Sequence, residues 1–252
     1  MSAAPFAIAG AVLGAIFGSF LATLILRWPA GRSVLRGRSH CDGCGRSLSP
    51  LELVPILSAI LLRGTCRTCV ASIDPTHMRM EIGCAAIGGL SLALLPGVEG
   101  AGWAIFGWII LTLAVLDWRH MWLPDALTLP LAFLGLTLAL WVNDVSPIDR
   151  AIGALVGYGG LLILSVGYRA LRGREGLGLG DAKLLGALGA WFGWQTLPFL
   201  LLIASLSAII IVAVRTGRGE ILSRSSAIPL GTFLCVAALP GWIVTRLLIL
   251  GA

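Results

Sequence analysis

The stretch "AIFGWIILTLAVLD" (Ala104–Asp117) is an uncharged apolar run that ends on a carboxylate. Such a run could lie in a soluble core or in a bilayer, and the rest of the chain decides which. Of its 252 residues, 58% are hydrophobic and 12% charged, with a mean hydropathy of +0.95. A soluble domain carries about 25% charged residues. Further apolar runs lie at Pro5–Leu26, Met80–Leu95, Leu127–Val142, Ile148–Tyr168, Leu197–Val214 and Ile228–Leu250, each long enough, or nearly so, to cross the hydrocarbon layer. The expected fold is therefore all-α: a polytopic membrane helical bundle. The first run lacks a basic leader and outlasts a signal-peptide core, so it reads as a retained helix.

A shorter run, Ala182–Trp194, falls below ordinary spanning length. It reads as a half-helix, as a tilted span packed within protein, or as one long helix with the next run; Gly186, Gly189 and Gly193 permit close helix approach there. Charge favours counting it, for about eight transmembrane segments rather than seven. With the Arg27–Arg79 loop in the cytoplasm and sides alternating, 16 of the 18 basic residues fall on that side, leaving Arg150 and Arg246, while the opposite loops carry Glu99, Asp144 and Asp149. This is the positive-inside pattern, and it accounts for the net charge of +6 with no nucleic-acid partner. The chain divides into a first span (1–26), a cytoplasmic loop (27–79) and a membrane domain (80–252).

The loop holds two CxxC pairs, Cys41/Cys44 and Cys66/Cys69. Each pair offers two thiolates from one tight turn, and two turns close a tetrahedral site. Four soft thiolates on the reducing side suit structural zinc; ordinary thiols or two disulfides are the alternatives. Cys84 and Cys235 lie inside apolar runs and read as packing residues. Between the pairs, "LELVPILSAILLRG" (Leu51–Gly64) is too short to span and reads as an interfacial or partly re-entrant helix.

Two acids stand at the edges of apolar runs. Asp117 ends one, and Asp181, in "GLGLGDAKLLGALGAW" (Gly176–Trp191), opens another. The topology brings both to one cytoplasmic boundary, where ionisable groups mark functional sites. Two adjacent carboxylates share a proton and can activate water. Asp181 alone would read as a helix cap, and Asp125 in "MWLPDALTL" reads mainly as one. Asp117 is different, because a helix C-terminus disfavours negative charge; something else must retain it. The alternating glycines before Asp181, Gly178 and Gly180 among them, would let backbone approach an extended peptide. A phosphate loop is excluded, since GxxxxGK[ST] is absent.

Taken together, "GSFLATLILRWP" (Gly18–Pro29), the two CxxC pairs, "LDWRHMWLPD" (Leu116–Asp125) and the Gly176–Trp191 element resemble the type IV prepilin peptidase family of membrane aspartic proteases. The resemblance covers most of the chain in the family's order. It implies that Asp117 and Asp181 are the catalytic pair, that prepilins or pseudopilins are the substrates, and that the site faces the cytoplasm at the bacterial inner membrane. It also implies N-methylation of the new amino terminus with S-adenosylmethionine. Two positions depart from the family: Ala22 stands where Asn is common, and "THMRME" (Thr76–Glu81) where Arg-Tyr-Pro is common. Both lie near the loop associated with methylation, and Glu81 reads as a first-turn acid. The basic leader of such substrates would meet acids near the site, Asp125, Glu175 or Glu52. An ion-coupled transporter is the alternative, though no inverted repeat is evident; a non-catalytic zinc scaffold is a third. Lipid is the surrounding partner, and oligomeric state is not legible.

Overall fold

The computed structural model describes residues 3–34, 39–173, 178–219 and 228–239. Among these it is all-helical: α1 (Ala4–Arg27), α2 (Leu57–Leu61), α3 (Thr76–Leu94), α4 (Val98–His120), α5 (Asp125–Leu136), α6 (Pro147–Arg172), α7 (Leu179–Phe192), α8 (Leu197–Gly217) and α9 (Leu230–Leu239). Four segments, those containing α1, α4, α6 and α8, are long and apolar enough to cross a membrane. Each of the remaining apolar runs begins or lies on a helix among the described residues. The last run is described only as far as Leu239; its remainder lies outside the described residues, as do Arg36, Arg38, Arg174, Glu175, Gly176, Arg224 and Arg246. The chain forms two compact units, 1–112 and 113–252.

In the first unit, α1 packs on α3 through a stripe of glycines. A Cβ at Gly10, Gly14 or Gly18 would come within 2.2, 2.1 and 2.6 Å of the carbonyl oxygens of Gly88, Cys84 and Met80. Only glycine admits this backbone contact, the close approach on which helix association in lipid depends. The opposite face of α1, with Ile8, Val12, Ile16 and Phe20, is exposed and suits lipid. Trp108 ties α4 to the pair, its indole N–H donating to the Cys84 carbonyl at 2.8 Å while its ring stacks on Phe17.

In the second unit, α6 and α7 meet at another glycine contact: a Cβ on Gly153 would lie 2.4 Å from the Gly189 carbonyl oxygen, and one on Gly189 2.2 Å from that of Gly153. Helix α7 is short because it ends inside the protein. Every residue from Ala182 to Phe192, except Lys183, is buried, so no lipid-facing stripe is needed. Gly193, at φ 78°, then turns the chain into a 3-10 turn before α8, which separates α7 from α8 and removes the single-long-helix alternative. The carbonyls at the end of α7 are met by Arg150, which is fully buried. Its guanidinium donates to Ala190 and Trp191 of α7, to Gly135 near the end of α5, and to Val145, Ala139 and Asn143, with the Asn143 side chain as a further acceptor. One cation thus satisfies orphan carbonyls from several chain segments, and helix C-terminal dipoles offset its charge.

Two expected elements differ. The Leu127–Val142 run is not one helix: α5 ends at Leu136 and Leu138–Trp141 is a 3-10 turn whose chain end is held by Arg150. The Leu51–Gly64 segment is also broken, into a 3-10 turn at Pro50–Leu53 and the five-residue α2. The break falls at Pro55 and at Ile56, whose φ of 63° no right-handed helix allows.

Candidate active site and metal centre

Asp117 lies in the last turn of α4 and is buried, with 5% of its surface exposed. Its retention at a helix C-terminus has a specific cause: the N-terminus of α9 points at it. The Thr232 backbone N–H donates to Asp117 Oδ2 at 2.6 Å, and the Thr232 hydroxyl lies 3.0 Å from the same oxygen. The positive end of one helix therefore compensates the negative end of another. Asp181 occupies the first turn of α7 and is half-buried. It is not the N-cap; that position is held by Gly178, whose backbone carbonyl accepts from the Asp181 N–H. The backbone N–H groups of Gly178 and Gly231 face the Asp181 carboxylate, and the charges of Asp117 and Asp181 act on one another. Adjacent amides of α9, at Gly231 and Thr232, thus hold two carboxylates from separate helices. Neither Gly231 nor Thr232 stands out in the sequence, where 228–250 reads only as a span. The available signal is "IPLGTF" (Ile228–Phe233), a proline entering a helix followed by a small residue.

Close packing explains two glycines here. A Cβ on Gly180 would meet Leu123 Cβ at 2.9 Å, and one on Gly231 would meet Leu123 Cδ1 at 2.7 Å and Asp117 Oδ2 at 3.0 Å. Leu123 therefore fills the space where a side chain at position 180 would stand. Gly178 is exposed, and a Cβ there would touch only Asp181 Oδ2, at 3.4 Å, and the Gly180 nitrogen, at 4.0 Å. Asp125 is not a helix cap: Pro124 holds that position with no side-chain bond, and the Asp125 carboxylate pairs with the Lys183 ammonium at 2.6 and 2.8 Å. An aspartate directly after proline has the look of a cap; the helix instead puts it at N1, where it is free to reach across to α7.

The four loop cysteines converge. Their sulfurs lie within 4.8 Å of one another, with Cys41 Sγ and Cys69 Sγ 3.7 Å apart, and all are free thiols, which removes the disulfide alternative. Tetrahedral Zn–S bonds of about 2.3 Å place sulfurs roughly 3.8 Å apart, so the cluster fits such an ion. Each CxxC sits in the same small knuckle. A bridge between His40 and Ser47 recurs 25 residues on between Thr65 and Ser72, and the left-handed position after each pair is taken by Gly45 (φ 70°) and Val70 (φ 57°). The N–H groups of Cys69 and Thr68 hold the Cys66 thiol down at about 6, which favours the thiolate a metal requires.

Glu52 closes the loop. It accepts two bonds from Arg46, at 2.6 and 3.0 Å, and one from the Ser49 N–H. These hold its carboxyl down at about 2, Arg46 contributing most. Glu52 is therefore engaged within its own loop. Glu81 is not a first-turn acid either: it is buried in α3 and accepts the Ile56 N–H at 2.7 Å, anchoring the strained backbone beside α2. A cavity of about 190 Å³ opens above it, with Asp74, His77 and Glu81 in its wall.

Family comparisons bear on both centres. Residues 104–213 match the model described as the type IV leader peptidase family, and residues 12–94 match a bacterial N-terminal domain of the same peptidases. A Burkholderia pseudomallei protein named prepilin leader peptidase/N-methyltransferase is 37% identical over 88% of this chain and 80% of its own. Proteins of that name from Aeromonas hydrophila and Stutzerimonas stutzeri are 41% identical over 82% of this chain and 70% of theirs, and 31% identical over 94% and 89%. The chain belongs to the type IV leader peptidase family. No solved structure matches it. The ion-coupled transporter finds no support in these matches. As a leader peptidase family member, the chain is a multi-pass membrane protein, with the charges of Asp117 and Asp181 acting on one another and four cysteines grouped closely enough that they could hold a metal ion.

Proposed function

We propose that this chain is a membrane aspartic endopeptidase that removes the short basic leader of prepilins or pseudopilins at the cytoplasmic face of the bacterial inner membrane. The observation that carries it is the pair of adjacent amides, Gly231 and Thr232, which face Asp181 and Asp117 respectively. With one proton between the two acids, the carboxylate takes a proton from water, which attacks the scissile carbonyl. The protonated partner gives its proton to the developing alkoxide; the acid formed on the first carboxylate then protonates the leaving amine as the C–N bond breaks, and a gem-diol hydroxyl returns a proton to the partner carboxylate. Buried donors aimed at a carboxylate keep it oriented without reorganisation. On this reading Gly178 and Asp125 contact the substrate, Asp125 as a charged partner for the leader. An eight-span topology, with the cysteine loop in the cytoplasm, would bring the dyad to the boundary a leader can reach.

Cys41, Cys44, Cys66 and Cys69 would hold a zinc ion that orders the loop. With four protein thiolates as donors such an ion would have no open position, and its role would be structural. The same reading includes methylation of the new amino terminus by S-adenosylmethionine, a cationic methyl donor. The cavity over Glu81 offers Asp74 and Glu81 as contacts for that charge, with Arg27 and Arg32 also in its wall. Incubation with a prepilin-like peptide, with and without the donor, followed by mass analysis of both products, tests the whole reading. Cleavage at one bond, with a methyl group on the new terminus only when donor is present, is the expected result; an intact peptide would overturn it.

A further inference from the structure

The Thr232 hydroxyl has two acceptors and one hydrogen. Its oxygen lies 3.0 Å from Asp117 Oδ2 and 3.1 Å from the backbone carbonyl of Ala114, one turn earlier in α4. It can donate to only one of them at a time. The carbonyl of Ala114 lies in the helical ladder and can accept a second bond on its other lone pair, so neither arrangement leaves a buried polar atom unmet. The Thr232 N–H, at 2.6 Å from the same Oδ2, holds the oxygen in place in either case.

We propose that Thr232 is a positioning residue whose hydroxyl turns with the proton of the aspartate pair. When Asp117 is a carboxylate, the hydroxyl donates to Oδ2. When Asp117 carries the proton on that oxygen, it donates to Thr232 Oγ1, and the hydroxyl turns its own hydrogen to Ala114. No proton is gained or lost by Thr232; a rotation about one bond keeps every polar atom paired in both states. Such a rotor lets Asp117 alternate between base and acid at a buried position without either form being stranded. The titratable groups facing Asp117 are Asp181 from α7 and Cys235 from α9. Among the described residues no cationic side chain pairs with Asp117, which leaves neutral donors to do this.

The inference rests on the peptidase reading of Asp117 and Asp181, and its test separates the two. Leader cleavage is measured for the full chain and for Thr232→Val and Thr232→Ser, reading kcat and KM separately, with thermal midpoint in detergent as the control for folding. Valine keeps the shape and the backbone N–H and removes only the hydroxyl. The expected result is a fall in kcat of about 10- to 100-fold, the worth of a hydrogen bond to a charged group, with KM unchanged, and recovery of most activity in Thr232→Ser. Near-full activity of the valine variant, or equal loss in both at an unchanged midpoint, would overturn the rotor. If valine does not fold, Thr232→Ala against Thr232→Ser decides in the same way. Should Asp117→Asn and Asp181→Asn abolish cleavage while Thr232→Val does not, the rotor fails and the dyad stands; should the Asn variants still cleave, the dyad itself fails.

Discussion

Lys183 Nζ reaches Asp125 Oδ1 at 2.6 Å and thereby ties the N-terminal part of α7 to the first turn of α5 across 58 positions of sequence. The pair is partly open to solvent, with side-chain exposures of 28% and 57%. Its contribution to stability is accordingly small, at most about 1 kcal/mol. What it does is occupy the carboxylate that a basic leader would otherwise meet.

A leader that binds at Asp125 has to displace Lys183. Lys183→Met should therefore make cleavage more sensitive to the leader's positive charge, and Asp125→Asn should flatten that sensitivity. Both effects should shrink as salt rises, since exposed charges are screened beyond about 8 Å at physiological ionic strength. A series of leaders differing in charge, cleaved at several salt concentrations, checks this. Unchanged charge dependence in both variants would leave hydrophobic docking as the source of affinity.

Arg150 is the second point of attack. Methionine at this position would strand carbonyls from α5, α7 and the turns between them, and each orphaned buried group costs about 1–3 kcal/mol. Arg150→Met should lose roughly 3–5 kcal/mol, and Arg150→Lys most of that, because an ammonium cannot reach so many acceptors at once. Thermal unfolding in detergent is the measurement; a midpoint within a degree or two of the parent would show that the clamp is dispensable.

The cysteine loop responds to both metal and pH. Zinc should be found at one equivalent per chain, and chelation should increase amide exchange over 40–74 while leaving α6 and α7 protected. Glu52 has a depressed folded-state pKa of about 2 against 4.5 for the free group. Its stabilisation is thus present above about pH 4.5 and disappears as pH falls toward 2. Glu52→Gln should lower the loop's stability near neutral pH, and the gap to the parent should close over that acidic window. A gap independent of pH would mean that the Arg46 pair contributes nothing.

The parts legible in the sequence are those with a strong local signal. Apolar runs announce the helices, and paired CxxC spacings announce the thiol cluster. The two acids stand out because a charge at the edge of an apolar run is costly. Partners brought from far along the chain do not show. Nothing local marks Thr232 as the donor to Asp117, 115 positions away. Arg150 appears only as a basic residue on the unexpected side, because carbonyl acceptors have no side-chain signature. Asp125 and Glu52 look available as acids, yet Lys183 and Arg46 already engage them. The breaks in the Leu51–Gly64 and Leu127–Val142 segments are hidden because apolar composition masks where a helix stops.

The most direct test of the central claim is the cleavage of a prepilin-like substrate by Asp117→Asn and Asp181→Asn, each inserted in membranes at parental levels. Asparagine is nearly isosteric and can still accept a hydrogen bond, so helix packing around α9 should persist. Each variant should lose cleavage altogether while binding zinc and folding as the parent does. Substantial turnover by either would contradict the assignment of the two aspartates.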